Sequence, residues 1–297
     1  MHEIENDCFY DFVKQYDPDI EHHFVGEVDY HLFRFDTDTI RKNCEEFFAL
    51  YNVTKGDIHE MCDLKIIHTR VVADNCIRIA HNMGLGEYDR DMAWIIGELH
   101  DFARFGQAVV TKSLDDSERY NHAHLGARIL FTHHLIDDII PDYDKVSATD
   151  RIVMEKAVYH HSDYRLPDDL SDRERLFCKI IREADQLDIF RTIVESGWEI
   201  IYGCSKEELL DHDITDAIAE AFYEHRLADY SKRVTKADFH MAHIALCFGL
   251  ESESARRRAI EQGYLEKMMD ISFNDQKVQK KYEGMKEQVM QFMELSK

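Results

Sequence analysis

The sequence predicts an all-α protein, and three observations carry that prediction. Only 3 Pro and 12 Gly interrupt 297 residues, and these are the residues that helix interiors tolerate least. Apolar residues recur at three- and four-residue spacing from about residue 63: in DLKIIHTRVVADNCIRIAHN, Leu64, Ile67, Val71 and Ile79 share a face. Hydrophobic residues make up 44% of the chain, enough to bury a sizeable core.

The elements follow in order. Residues 1–60 read as a lead-in packed on the core, with VDYHLFRF at 28–35 as a short extended piece. The helix beginning near 63 closes at MGLGE through its glycines. Asp89 is placed to cap DMAWIIGELHDF. HAHLGARILFTHHLI (122–136) forms the next helix and stops before Pro141, and Thr149 caps DRIVMEKAVYHH (150–161). RERLFCKIIREADQLDIFRTIV (173–194) is strongly periodic. Beyond Gly197 and Gly203, helical patterns recur at about 206–229, 236–250, 253–271 and 274–296. The organisation is a bundle with additional N- and C-terminal helices: a central unit at 60–200, then a helical extension of the same domain at 200–297. The sequence contains no internal repeat and no low-complexity linker.

Charge narrows the function. The formal charge of −23, from 36 basic and 59 acidic side chains, repels polyanions and argues against a polymeric nucleic acid or an anionic membrane as partner. A small phosphorylated ligand stays open, because a bound metal can dominate the local potential. The seven Cys form no CxxC and read as reduced thiols. MHEIENDCFY lacks the basic and apolar regions of a signal peptide, and no apolar stretch is long enough to cross a bilayer. A cytoplasmic location is expected.

The chemistry lies in ionisable residues on faces that ought to be buried. His68 follows Leu64 by one turn and shares its face; His100 and Asp101 end a run of Trp94, Ile95, Ile96 and Leu99. His122 opens the helix of Leu125, Ile129 and Leu130, His160 continues the face of Ile152, Val153 and Ala157, and Asp185 follows Phe177, Ile181 and Ala184. Burying an unpaired carboxylate or a charged imidazole costs several kcal/mol or more. A divalent cation meets all these costs together, since it pairs carboxylates and accepts neutral imidazole nitrogen. Four His and two Asp exceed the needs of one metal that must also bind water and substrate. The surplus points to two metals bridged by Asp101. A second His-Asp doublet, His212–Asp213, lacks any such setting and reads as a solvated helix start.

In this order, His68, the His100–Asp101 doublet, His122, His160 and Asp185 resemble the HD-domain superfamily of metal-dependent phosphohydrolases over roughly 60–195. HDFARFGQ is similar to the family's HD-x-G-[KR]-F, with Ala103 where Gly is usual. HAHLGARIL resembles the H-x-x-x-G-A-x-x-L helix of its binuclear branch, and YHH and EADQLD resemble that branch's later segments. The resemblance implies an HD-domain helical bundle holding one or two divalent ions (Fe, Mn, Mg, Co, Ni or Zn). It implies His68, His100, Asp101 and Asp185 around the first ion, and Asp101, His122 and His160 around the second. The HHE…GYP signature of cyclic-di-GMP phosphodiesterases is absent, which argues against a cyclic dinucleotide substrate.

The activity expected is hydrolysis of a phosphate ester of a nucleotide or another small phosphorylated metabolite by a metal-activated water. Arg104 either clamps the phosphate or forms a surface ion pair, and Arg165 is a weaker substrate-binding candidate. Arg182 reads as structural. Adjacent residues on a helix point about 100° apart, so with His160 as the ligand, His161 sits behind the metal unless the helix end frays. Asp188 orients a ligand or a basic group. Two other readings remain: a di-iron oxygenase of the same superfamily, and a non-catalytic nucleotide-sensing module.

Overall fold

The computed structural model describes residues 34–51, 57–114, 116 and 121–294. All lie in one compact unit and none forms a strand, so the fold is all-α over the described residues. The extended piece at 28–35 falls outside them, apart from Arg34 and Phe35, which have no regular structure. No described helix is long and apolar enough to cross a membrane.

Four helices build the frame: α1 (Thr37–Ala49), α2 (Asp57–Asn82), α3 (Glu87–Leu99) and α4 (Arg104–Thr111). Asp36 caps α1 by accepting from the Thr39 amide. Gly84, with φ +77°, turns the chain out of α2. The start of α3 corrects the expected cap. Gly86 occupies that position, and Asp89 lies inside the first turn with its carboxylate held 2.6 Å from Arg173. The helix expected over 122–136 is broken. It consists of α5 (His122–Ala127), a π-helical stretch at Arg128–Thr132 and α6 (Ile136–Ile139). The His133 amide reaches back to the Arg128 carbonyl, and His134 takes φ +62°, a left-handed conformation that ends the run.

Next come α7 (Ala148–His160) and α8 (Asp172–Ser196). Ser147, not Thr149, caps α7, because its hydroxyl accepts from the Asp150 amide. Ser171 and Glu174 make a reciprocal capping box on α8. The C-terminal patterns resolve into shorter helices than expected: α9 (Trp198–Tyr202), α10 (Lys206–Leu210), α11 (Asp216–Tyr223), α12 (Lys236–Ile244), α13 (Glu253–Gln262), α14 (Tyr264–Met268) and α15 (Gln276–Phe292). One break has a clear cause: Gly263 at φ +67° ends α13, just before α14.

Helices α2, α3 and α8 pack on one another, α7 packs on α8, and α5 packs on α7. At the α2–α3 crossing a Cβ on Gly97 would stand 2.5 Å from the Ala73 Cα, so only glycine allows this approach. That crossing brings His68 of α2 beside the end of α3, where His100 and Asp101 sit.

One residue next to the doublet carries a stability prediction. Glu98 is buried, its only ion pair among the described residues being with Arg41 of α1 at 3.4 Å. Burial pushes its carboxyl up to about 7 against the pull of Arg41. Near its ordinary value of 4.5 and below, the proton is present folded and unfolded, and Glu98 costs nothing. As pH rises from there to 7, the unfolded chain releases the proton while the folded chain keeps it, and stability falls. The full penalty, ~3 kcal/mol at most, stands above that window. Glu98→Gln removes it, so the variant should exceed the parent by ~1–3 kcal/mol at pH 8 and match it below about pH 4 in denaturant unfolding. Equal stability at pH 8 would mean that Arg41 fully offsets the burial.

Candidate metal centre

Five segments deliver the polar cluster. The middle of α2 supplies His68, and the turn after α3 supplies His100 and Asp101. The first residue of α5 is His122, the residue just past α7 is His161, and α8 supplies Asp185 and Asp188. His68, His100, Asp101, His122 and His161 are each at most 4% exposed.

The Nδ1 atoms explain why the rings face inward. His68 Nδ1 lies 2.7 Å from Asp188 Oδ2, and His122 Nδ1 lies 2.7 Å from Asp116 Oδ2. His100 Nδ1 lies 2.7 Å from the Gly97 carbonyl, and His161 Nδ1 lies 2.8 Å from the Val158 carbonyl. Each partner accepts a hydrogen bond, so each ring donates from Nδ1 and, when neutral, turns a bare Nε2 lone pair toward the centre. Those lone pairs then confront one another. His68 and His100 bring Nε2 atoms within 3.3 Å, and His122 and His161 within 2.9 Å. Two acceptors at such distances repel unless a proton or a cation lies between them.

The cluster has two halves. In one, His68 Nε2 stands 3.1 Å from Asp185 Oδ1, and Asp101 Oδ2 stands 3.5 Å from both His68 and His100. In the other, Asp101 Oδ1 lies 3.2 Å from His122 Nε2 and 3.8 Å from His161 Nε2. Ligands bound about 2.0–2.2 Å from a single ion stand about 3.0–3.5 Å apart. Both halves are close to that spacing, and His68, His100 and Asp185, or His100, Asp101 and His161, could each hold an ion. Asp101 turns one oxygen to each half. The donor set therefore fits one or two divalent ions; their identity is not set by these atoms.

His160 does not join the cluster, and this corrects the sequence expectation. Its Nδ1 pairs with Asp163 Oδ2 at 2.7 Å, whereas His161 takes the inward position. The reason lies in the buried face of α7. Ile152 is 46% exposed, so the face runs through Met154, Ala157 and Val158 to His161 instead of ending on His160. Arg165 is also displaced: it lies over the Tyr164 ring and lines a neighbouring cavity. Asp188 sits behind His68, as expected, and is itself held by Arg191 at 2.6 Å. The His212 ring lies 2.9 Å from the Glu208 carbonyl and is not among the residues gathered at the cluster.

Burial is the largest influence on the His100, His122 and His161 rings and pulls all three below the ordinary histidine value, so they favour the neutral ligand form. His68 alone moves up, to about 9. Burial and Lys65 push it down, but hydrogen bonds to Asp185 and Asp188 outweigh them. Burial would raise Asp101 and Asp185, yet Lys65 with the His100 and His122 imidazoles holds Asp101, and the His68, His100 and His161 imidazoles hold Asp185, well below the carboxylate range.

Some participants were missed from sequence. Lys65 reaches Asp101 Oδ2 at 2.6 Å, one turn before His68 on α2, a spacing that could have flagged it. Asp116, behind His122, lies in an irregular loop where no periodicity signals a role. Asp116 also receives Arg104 Nη1 at 2.9 Å, and Arg104 Nε sits 3.6 Å from Asp101 Oδ1. A cavity of about 480 Å³ opens over Asp101, His122, His161 and Asp185. Lys65, Arg104 and Arg182 line it, and Ile189, Leu227, Tyr230 and Leu246 give it an apolar wall. The C-terminal extension thus forms part of the cavity. Scans against protein-family models, curated proteins and solved structures find no match, so what this centre can do follows from its own atoms.

Proposed function

We propose that the chain is a metal-dependent phosphohydrolase of the HD-domain type, acting on a small phosphorylated metabolite such as a nucleotide. The observation that carries this reading is the set of four inward Nε2 atoms in two pairs, with one carboxylate oxygen of Asp101 turned to each pair. His68, His100, Asp101 and Asp185 would hold one ion, and Asp101, His122 and His161 the other. Such ions, when bound, supply Lewis acidity and a water of lowered pKa.

The chain's own residues do the rest. Five carboxylates lining the cavity (Asp101, Asp116, Asp163, Asp185 and Asp229) outnumber the three cations Lys65, Arg104 and Arg182. Without divalent ions that surface repels a phosphate; with two of them its sign reverses. Arg104 is braced by Gln107 and Asp116 at its Nη1, while its buried Nε has no hydrogen-bond partner among the described residues, Asp101 Oδ1 standing 3.6 Å away. It can direct that donor at a phosphoryl oxygen once Asp101 is engaged by ions. The apolar wall covers the remainder of the substrate and excludes water.

The test is a screen of the metal-reconstituted protein against nucleotides, cyclic nucleotides and phosphomonoesters, with oxygen uptake followed in parallel. Phosphate release that depends on added metal supports the reading. Oxygen consumption without phosphate release would replace it with an oxygenase. Within this reading, Arg104→Ala should slow turnover by ~10²-fold with metal content unchanged. Collapse of the fold in that variant would make Arg104 structural instead.

A further inference from the structure

Beside the metal-facing cavity lies a second one of about 490 Å³, with Tyr164, Arg182 and Leu227 common to both. Its lining gathers Arg165, Arg175, Lys179, Arg182 and Arg226 in a chain whose formal charge is −23. Glu183 and Glu251 are the acidic residues of the lining. Glu183 is engaged elsewhere, accepting from the Ser252 amide at 2.7 Å and its hydroxyl at 2.6 Å. Glu251 pairs with Lys179 at 2.5 Å with both side chains open to solvent, the kind of pair that exchanges partners at little cost. Arg226 is occupied by Glu224.

The other three guanidiniums have no carboxylate in ion-pair contact among the described residues. Arg175 donates to the carbonyls of Pro167 (2.7 Å) and Asp168 (3.2 Å). Arg182 donates to those of His160 (3.2 Å), His161 (3.3 Å) and Asp163. Arg165 lies over the Tyr164 ring. Carbonyls satisfy donors without neutralising them; Asp163, Asp185 and Glu251 act on Arg182 from beyond ion-pair distance, and burial outweighs them. With 59 acidic side chains in the chain, three such cations around one concavity make a field suited to a polyvalent anion. The volume suits a small molecule, and the forked donors of arginine match phosphate oxygens better than a single carboxylate would require.

We propose that this cavity binds the phosphate chain of a small phosphorylated molecule, apart from the substrate cavity, and acts on the metal cluster through Arg182. The binding half stands alone; the second half rests on the metal-hydrolase reading. The connection is short. The guanidinium that faces the anion also holds the His161 carbonyl, at the turn from which His161 aims Nε2 at Asp101. A phosphate oxygen competes with the three carbonyls for its donors and loosens that turn. A second contact crosses the same wall, for a Cβ at Gly249 of this cavity would stand 2.6 Å from the amide of Gln186, which lines the other.

The test uses full-length, metal-free protein titrated calorimetrically with tripolyphosphate, with inorganic phosphate alongside. Tripolyphosphate should bind at one site and more tightly than phosphate. Arg165→Glu and Arg175→Ala should each weaken it by ~10-fold or more, and Arg104→Gln, in the other cavity, should leave it within ~3-fold. Arg165 is exposed and makes no hydrogen bond among the described residues, so its variant should keep the parent fold. No binding, or binding lost in Arg104→Gln but kept in Arg165→Glu, would overturn the site. Hydrogen exchange over residues 158–164 reads the coupling without metal, which tripolyphosphate would itself chelate. Exchange there should quicken ~3-fold or more on binding in the parent and stay unchanged in Arg165→Glu. Binding with no change at that turn overturns the coupling while the site stands. A protein that takes up no metal at all refutes the hydrolase reading and leaves both of these results untouched.

Discussion

Asp101→Ala should strip the reconstituted protein of nearly all bound metal and lower metal-dependent hydrolysis by ~10³-fold or more. The expectation follows from the two oxygens of this one residue. Oδ2 faces His68 and His100 at 3.5 Å, and Oδ1 faces His122 at 3.2 Å. Removing the carboxylate also deprives Lys65 and Arg104 of a buried counter-ion. Loss of one partner from such a set costs ~3–5 kcal/mol, so stability must be followed beside metal content. Asp101→Asn separates the two effects. It preserves the shape but keeps one acceptor oxygen, so one half of the cluster can still be served. Elemental analysis should give about one ion per chain for Asn where the parent takes up to two. An Asn variant that still carries two ions would show that Asp101 does not bridge.

The residues that sequence reading located best are those whose neighbours in the chain are apolar and periodic. His68, His100 and Asp185 each interrupt such a face, and each reaches the cluster. A polar group on a face that packing must bury is conspicuous because its desolvation has to be offset by something. Asp116 had no such contrast: an acidic residue among other polar residues in a loop is indistinguishable from a solvated one until His122 Nδ1 is found 2.7 Å away. Helix ends were legible only approximately, for the same reason. Asp89 and Thr149 have good capping side chains, but Arg173 claims the first, and Ser147 fills the cap two residues before the second. Of the cationic cavity, Arg175, Lys179 and Arg182 recur at helical spacing on α8, but nothing in the sequence brings Arg165 and Arg226 to them, and only the fold does so.

The adjacent histidines at the end of α7 give the sharpest contrast between the two sources of information. A single step along a helix rotates a side chain by about 100°, so of His160 and His161 only one can enter the cluster. His161 has every mark of the one that does: its Nδ1 is tied to Val158 at 2.8 Å, its Nε2 sits 2.9 Å from that of His122, and it is 4% exposed. His160 spends its Nδ1 on Asp163 at the edge of the cavity. His161→Ala should therefore lose the ion shared with His122 and Asp101, and metal-dependent hydrolysis should drop by ~10²-fold or more. His160→Ala should retain metal stoichiometry and stay within ~3-fold of the parent, because it removes a partly solvated pair of small worth. Elemental analysis and initial rates on the two variants, prepared side by side, decide the matter. The reverse pattern would require the end of α7 to rotate by a whole residue when metal binds, and Arg182, which holds both carbonyls, is the residue that would have to let go.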